Sequence, residues 1–374
     1  MHVLLTVNAA WNIHNFRKPL VEALIADGHR VTVLAPRDDT VSALEMLGCE
    51  FVELDLDRKG LNPVGGLALT GRLVRHFRSL RPDCIFSFTI KNNIFGAFAA
   101  KLTGIAFVPN VTGLGTAFLG SGLLERLTVA LYKAAFRSLP VVLFQNADDR
   151  DMFVQKRIVA SAQTALLPGS GIDLERFEPS PLPASPQQVV FLMIARLIRD
   201  KGVREYIGSA KTFQGRSDLR FCLLGAPDPS NRTSIPADEI ASWSQAGIID
   251  YLGTCDDVRP VIAKAHCVVL PSYREGAPRT LIEAAAMSRP LIASDVPGCR
   301  DIVDHDVNGF LCKPRDSDAL SQAFRRFIEL PDTRREAMGQ ASRRKVEREF
   351  DVQLVVAEYR RIIEMLTRQE TETR

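Results

Sequence analysis

The sequence predicts an α/β chain made of two doubly wound halves that face each other across a cleft. Three observations carry that expectation. Short β-rich runs alternate with helix-length segments from the first residue. The alternation stops at EPSPLPASPQQ (178–188), with four prolines in eleven residues, and then restarts. The length, 374 residues, is long for one core and suits two domains of ordinary size.

The elements follow in order. HVLLTV (2–7), RVTVLA (30–35), EFVEL (50–54), CIFSF (84–88), AFVPNV (106–111), VVLFQN (141–146) and ALLPG (165–169) read as strands. Helix-length segments such as PLVEALIADG and GAFAAKLTG lie between them, each closed by a glycine suited to a C-cap. Continuous apolar strands separated by helices imply a parallel sheet covered on both faces. The proline-rich stretch reads as a semi-rigid connector. Beyond it VVFLMIA (189–195), RFCLLG (220–225), IIDYLG (248–253), CVVLP (267–271), PLIASD (290–295) and GFLC (309–312) repeat the pattern. The expected organisation is a first domain over 1–178, a linker over 179–188 and a second domain over 189–351. An amphipathic helix with a polar tail over 352–374 then packs on the body. In such folds ligands sit beyond the carboxyl ends of the strands, so two facing domains share one cleft.

Composition narrows the class. With 46% hydrophobic and 24% charged residues and a mean hydropathy near zero, the chain reads as globular. A net charge of +3 is too small to argue for nucleic acid. The seven cysteines are odd in number and never form C-x-x-C, which points to reduced thiols rather than zinc or a disulfide framework. No signal peptide or spanning helix is expected, so the predicted location is the cytoplasm, with a peripheral place at the inner membrane's cytoplasmic face as a further expectation.

The chemistry concentrates in the second half. Arg196 and Lys201, in RLIRDKG, follow directly on a strand end. Five residues apart across a turn, they can converge on one anion, arginine as a planar fork and lysine as a point charge. CVVLPSYREGAPRTLIEAAA reads as strand, loop, helix. Pro278 suits the first turn, which would leave the amides of Thr280 and Leu281 unpaired and make an anion site. A carboxylate beside a phosphate would be repelled, so Glu275 should accept from uncharged donors such as sugar hydroxyls. Glu283, two turns into the helix, is placed to accept from a ribose. A nucleotide-diphosphate sugar satisfies the whole set.

These residues carry a resemblance. ARLIRDKG, EGAPRTLIEA with its E-x7-E spacing, and PGCRDIV followed by NGFL resemble the retaining glycosyltransferases of the GT-B fold, with two Rossmann-like domains, over essentially the whole chain. IKNNIFGAFAAKLTGI, NVTGLGTAFLG, FQNADDRDMF and LPGSGIDLERF are similar to the bacterial branch that extends lipid-linked oligosaccharides. That branch includes transferases that add N-acetylgalactosamine to a sugar on undecaprenyl diphosphate. The resemblance implies a UDP-sugar donor and a lipid-linked sugar acceptor. Arg196 and Lys201 match the pair that neutralises the donor diphosphate, and Glu275 matches the glutamate at the donor sugar, with the backbone of Gly276 and Ala277 beside it. Thr280 and Leu281 match the amides at the phosphate, and Glu283 the ribose ligand. Gly171 and Asp173 match an interdomain motif. Where many members carry a histidine, this chain reads NVTGLG (110–115), with Thr112 and Gly113 in its place.

Arg196, Lys201 and the helix start would stabilise a departing phosphate, so neither a metal nor another cofactor is expected. DLD (55–57) and DHD (304–306) match a metal-binding D-x-D superficially but read as surface loops. On the acceptor side Asn12, Asn15, Arg17, Lys91 and Asn92 follow strand ends and are expected to border the cleft, although Asn15 could equally cap a helix and Lys91 be a surface charge. VGGLALTGRLVRHFRSLRP places Leu69, Leu73, Phe77 and Leu80 on one helical face and Arg72, Arg75, Arg78 and Arg81 on the other. It is a candidate for anionic lipid or, equally, a sheet-covering helix. TAFLGSGLLERLTVALYKAAF (116–136) is a second such candidate.

A dehydrogenase lacks its glycine-rich turn after the first strand, and neither a P-loop nor G-x-S-x-G is present. The competing readings are a nucleotide-sugar epimerase or phosphorylase of the same architecture, and a non-catalytic sugar-nucleotide-binding subunit.

Overall fold

The computed structural model of the chain describes residues 1–56, 63–113, 122–184, 188–229 and 231–373. Met1–Gly171 together with Val352–Arg374 make one compact unit, and Ile172–Asp351 another.

In the first unit the order is β1 (His2–Thr6), α1 (Ala10–Ala26), β2 (Arg30–Ala35), α2 (Val41–Met46), β3 (Glu50–Glu53), α3 (Pro63–Leu80), β4 (Cys84–Phe88), α4 (Ile90–Thr103), β5 (Ala106–Val111), α5 (Leu123–Phe136), β6 (Val142–Phe144), α6 (Ala147–Gln155) and β7 (Thr164–Leu166). The strands form a parallel seven-stranded sheet in the order β3-β2-β1-β4-β5-β6-β7. Strand alternation splits the core in two: Val3, Leu5 and Phe86 face one cluster, Leu4 and Ile85 the other. Gly104 caps α4 in the left-handed region (φ +72°), where a glycine costs least. On α3, Leu69, Leu73 and Phe77 are buried in the second cluster, as a sheet-covering helix requires, while Leu67, Arg75 and Arg78 face outward.

The second unit runs β8 (Val189–Ile194), a 3₁₀ turn over Arg199–Lys201, α7 (Val203–Lys211), β9 (Leu219–Leu224), α8 (Ala237–Gln245), β10 (Asp250–Tyr251), α9 (Arg259–Ala263), β11 (Cys267–Leu270), α10 (Arg279–Ala286), β12 (Leu291–Ser294), α11 (Cys299–Ile302), β13 (Gly309–Cys312), α12 (Ser317–Glu329) and α13 (Asp332–Glu349). Its six strands are again parallel, in the order β10-β9-β8-β11-β12-β13. In each sheet the order reverses beside the first strand. The carboxyl ends of β1 and β4, and of β8 and β11, are therefore topological switch points, where open α/β sheets bind ligands. None of the seven cysteines is in a disulfide, and all but Cys255 are buried.

The expected boundaries are 178, 188 and 351; the units divide after Gly171 and after Asp351. The chain leaves the first unit at Gly171 and returns at Val352. Gly171 has φ +69°, and a Cβ there would lie 2.5 Å from the Cα of Val352, so only glycine fits. Beyond it Ile172 donates to the Phe350 carbonyl at 2.8 Å. The described part of the proline-rich stretch belongs to the second unit and is held there: Arg289 Nη2 donates to the carbonyls of Ser180 at 2.9 Å and Pro181 at 2.8 Å. Prolines forbid a central strand but do not say where a unit ends. Residues 185–187 of that stretch lie outside the described residues.

The last helix, α14 (Val352–Thr373), rejoins the first unit. Val355, Val356, Tyr359, Ile362, Ile363 and Leu366 repeat at helical spacing and enter the core beside β1, β2 and β4. Tyr359 meets Phe86 edge-on at 4.7 Å and accepts from Asn110 Nδ2 at 3.1 Å. Tyr359→Ala is expected to destabilise the first unit by about 3–5 kcal/mol, the range for truncating a buried aromatic. Leu354→Ala, on the exposed face of the same helix, should stay within about 0.5 kcal/mol. Equal midpoints for the two variants in chemical denaturation would contradict this packing.

Candidate functional site

The loop after β11 and the turn after β8 meet at the switch point of the second sheet. Gly202, at φ +75°, allows the approach, since a Cβ there would fall 2.0 Å from the Pro271 carbonyl oxygen. Tyr273 then donates its amide to the Asp200 carbonyl at 2.9 Å, and its hydroxyl to Glu205 at 2.7 Å. Between these anchors Lys201 Nζ reaches Glu275 Oε1 at 2.5 Å, and the buried Ser272 hydroxyl donates to the same oxygen at 2.6 Å. The Glu275 side chain is 10% exposed and that of Lys201 22%. A carboxylate so shielded stays charged at low cost only with such partners.

Helix α10 opens directly after this loop. Pro278 takes the N-cap position rather than the first turn. Its carbonyl accepts from both Leu281 at 3.0 Å and Ile282 at 3.3 Å. Leu281 therefore departs from the expectation of an unpaired amide: a tight first turn consumes it. The Thr280 amide has no backbone acceptor among the described residues. Its hydroxyl donates to the Ile194 carbonyl at 3.2 Å, which ties the helix start to the end of β8. Gly276 is buried and Ala277 half-buried. One helical turn on, Glu283 Oε1 accepts from Arg279 Nε at 2.7 Å, and burial raises the Glu283 carboxyl above its ordinary value despite the arginine.

Arg196 makes different contacts. Its guanidinium pairs with Asp228, in the loop after β9, at 3.1 Å and is 63% exposed. Lys201 and Glu275 are thus in direct contact, Thr280 joins them through β8, and Arg196 stands at the strand end on a partner that the sequence does not suggest.

In the first unit two expected cleft residues turn inward. Arg17 is 6% exposed, lies 3.8 Å over the Phe88 ring and donates to Asn12 Oδ1, so its charge is spent on a ring face and an amide. Asn92 is fully buried and donates to Thr6 Oγ1 at 2.9 Å while accepting from Thr89 Oγ1 at 3.1 Å. Asn15 lies inside α1 and donates to the Trp11 carbonyl at 3.1 Å; the helix starts at Ala10, so Asn15 caps nothing. Lys91 is half-buried at the start of α4. Thr112 and Gly113 end the described part of the NVTGLG segment, and 114–121, with the first residues of the 116–136 candidate, lie outside the described residues.

The D-x-D matches have structural partners. Asp55 pairs with Arg72 at 2.8 Å, and Asp57 lies outside the described residues. Asp304 pairs with Lys345 at 2.6 Å and Asp306 with Arg326 at 2.5 Å. Among the described residues no group of three or more His, Cys, Asp or Glu side chains is placed to hold a metal ion.

Comparison with known proteins identifies the family. The family model described as glycosyl transferases group 1 matches residues 175–345, and that described as glycosyl transferase 4-like domain matches 14–169. The chain belongs to the GT-B glycosyltransferases of group 1. A Campylobacter jejuni N,N'-diacetylbacillosaminyl-diphospho-undecaprenol alpha-1,3-N-acetylgalactosaminyltransferase is 27% identical over 86% of this chain and 88% of its own. An Escherichia coli UDP-Gal:alpha-D-GlcNAc-diphosphoundecaprenol alpha-1,3-galactosyltransferase is 25% identical over 66% of each. Anabaena HepE in complex with UDP and glucose superimposes with a TM-score of 0.78 at 18% identity, covering 98% of this chain and all of the other, which shows the shared fold.

In this glycosyltransferase several residues shape the site without standing out in the sequence. Gly298, at the N-cap of α11 with φ +78°, is packed so that a Cβ would fall 2.4 Å from the Gly276 carbonyl oxygen and 3.0 Å from that of Glu275. Ser272 orients the Glu275 carboxylate. Burial pushes the next residue's thiol, Cys299, well above its ordinary value, and the nearby Glu275 charge adds to that. The Pro-Gly pair at 297–298 marks a turn, but only the folded chain shows which loop it supports. Gly298→Ala is expected to cost about 1–3 kcal/mol through backbone strain and the close carbonyl. Gly71→Ala, on α3 with open space around it, should be neutral or stabilising by about 0.4–1 kcal/mol. Thermal melts in which Gly298→Ala is no worse than Gly71→Ala would refute the supporting role.

Proposed function

We propose that this glycosyltransferase moves a sugar, by preference an N-acetylhexosamine such as N-acetylgalactosamine, from its UDP ester to a sugar carried on a polyprenyl diphosphate, with retention of anomeric configuration. The observation that carries this reading is the Lys201–Glu275 contact beside the opening turn of α10. A cation for the diphosphate and a carboxylate for the sugar there share one small volume. The relatives named above, which act on diphospho-undecaprenol substrates, support the acceptor class.

In this reading Arg196, Lys201 and the Thr280 amide hold the diphosphate. Glu275, flanked by the backbone of Gly276 and Ala277, accepts from hydroxyls of the donor sugar, and Glu283 accepts from the ribose. During transfer the bond between the anomeric carbon and the phosphate oxygen breaks. The acceptor oxygen bonds to that carbon from the same face, and its proton passes to the departing phosphate oxygen. The negative charge grows on the phosphate, which is where preorganised cations and amides count most. Arg196 can turn to the phosphate readily, since its exposed pair with Asp228 contributes roughly 0–1 kcal/mol. With the charge met by protein groups, the reaction needs no divalent metal.

Transfer from UDP-N-acetylgalactosamine to a diphospho-undecaprenol-linked sugar should fall by roughly 10²–10³-fold in Lys201→Ala and in Glu275→Gln, the usual loss of one such group. It should persist in EDTA. Near-normal transfer in both variants would sink the assignment, and loss in EDTA restored by Mn²⁺ would sink the metal-free mechanism. Conversion of the donor without acceptor would indicate an epimerase instead.

The acceptor is a lipid, and α3 offers a face to it. Leu67 is 75% exposed, with Arg75 and Arg78 outward on the following turns, while Arg72 is paired with Asp55. We assign this face to anionic lipid headgroups on charge complementarity. No described helix is long and apolar enough to cross a membrane. In flotation with vesicles containing anionic lipid at low salt the protein should rise with the vesicles, and Arg75→Glu with Arg78→Glu should abolish this. Failure of the unsubstituted protein to float would remove the membrane contact.

A further inference from the structure

Glu283 lies one turn into α10 with its side chain 13% exposed, and Arg279, at the helix start, is 22% exposed. The arginine donates through Nε to Oε1 at 2.7 Å. Among the described residues no hydrogen bond to Oε2 is formed. Helix energetics argue against this arrangement. Arg279 is the first residue of α10, where the macrodipole disfavours a cation, and an acid preceding a base at this spacing is the better order. The pair therefore does little for the helix, yet it holds the carboxylate in one orientation. The other groups facing Glu283 come from two more segments: Arg176 from the chain beyond Gly171, and Asp257 and Cys255 from the loop after β10.

We propose that Arg279 is a positioning residue for the donor nucleotide: by occupying Oε1 it fixes the Glu283 carboxylate and leaves Oε2 as the single oxygen offered to a ribose hydroxyl. The proposal rests on the reading of Glu283 as the ribose ligand and adds to it. Arg279 itself touches the nucleotide nowhere in this arrangement, and its effect passes through Glu283. It also opposes protonation of Glu283. Burial raises the Glu283 carboxyl, Asp257 adds to that rise, and Arg279 and Arg176 oppose it. Without Arg279 the carboxyl protonates at higher pH and ceases to be a pure acceptor.

The test is calorimetric binding of UDP and of 2′,3′-dideoxy-UDP to the unsubstituted chain and to Glu283→Gln, Arg279→Met and Arg279→Lys. A hydrogen bond to a charged group is worth about 1.5–3 kcal/mol, so Arg279→Met should weaken UDP about tenfold to a hundredfold. It should leave dideoxy-UDP unchanged, because that ligand offers no hydroxyl to the carboxylate. Arg279→Lys should recover part of the loss and keeps the test open if the methionine variant misfolds. The loss should widen as pH is lowered, the direction in which Glu283 gains its proton; the diphosphate's own titration cancels in the ratio between proteins. Equal loss for both ligands would put Arg279 on the phosphate and overturn the proposal. So would unchanged UDP binding in Arg279→Met while Glu283→Gln is impaired, which leaves the ribose reading standing. Unchanged UDP binding in Glu283→Gln would instead defeat the ribose reading itself.

Discussion

The site in the second unit depends on how closely two stretches of backbone approach each other at the ends of β8 and β11. Gly202 permits that approach, because any side chain there would occupy the position of the Pro271 carbonyl oxygen. Once the loops are in contact, the Tyr273 amide finds the Asp200 carbonyl and Lys201 meets Glu275. Gly298 supports the same loop from the α11 side. The ion pair follows from these approaches. A lysine on a flexible stem would gain little by holding an exposed carboxylate, but here both groups are shielded, and losing one would leave a costly lone charge.

Among the carboxylate–cation pairs of this unit, the three at the candidate site differ in exposure. Lys201–Glu275 and Arg279–Glu283 are shielded and keep their shape, whereas Arg196–Asp228 is open to solvent on the arginine side. Opening the exposed Arg196 pair costs little, while the shielded pairs keep their arrangement. The candidate site therefore carries both a rigid element and an adaptable one.

The first unit spends its polar residues differently. Thr6, Thr89 and Asn92 are linked to one another, Asn93 donates to the Asn110 carbonyl, and Asn110 reaches Tyr359 from α14. Thr89 adopts φ +72°, an uncommon conformation for a residue with a Cβ, and sits at the switch point of that sheet. This network ties α14 to β5, although Tyr359 lies 249 residues beyond Asn110. Asn92 is interior because it belongs to this network, and Arg17 because it packs over the Phe88 ring.

Much of this architecture was legible from the order of residues alone. Every strand of the two sheets falls on a β-rich run of the sequence, and the central strands read as continuous apolar runs because both of their faces are buried. The neighbourhood of Lys201, Glu275 and Thr280 was legible too, since Lys201 follows the end of β8 and the other two flank the start of α10, which the strand order brings to one switch point. Tertiary structure alone decided the partners: Asp228 for Arg196, Arg279 for Glu283, the Phe88 ring for Arg17, and the Pro278 carbonyl for the Leu281 amide. It also placed the unit boundary at Gly171 and returned the last helix to the first unit. Local sequence records propensity and period, whereas these outcomes depend on distances between segments far apart in the chain, which exist only once the backbone has packed.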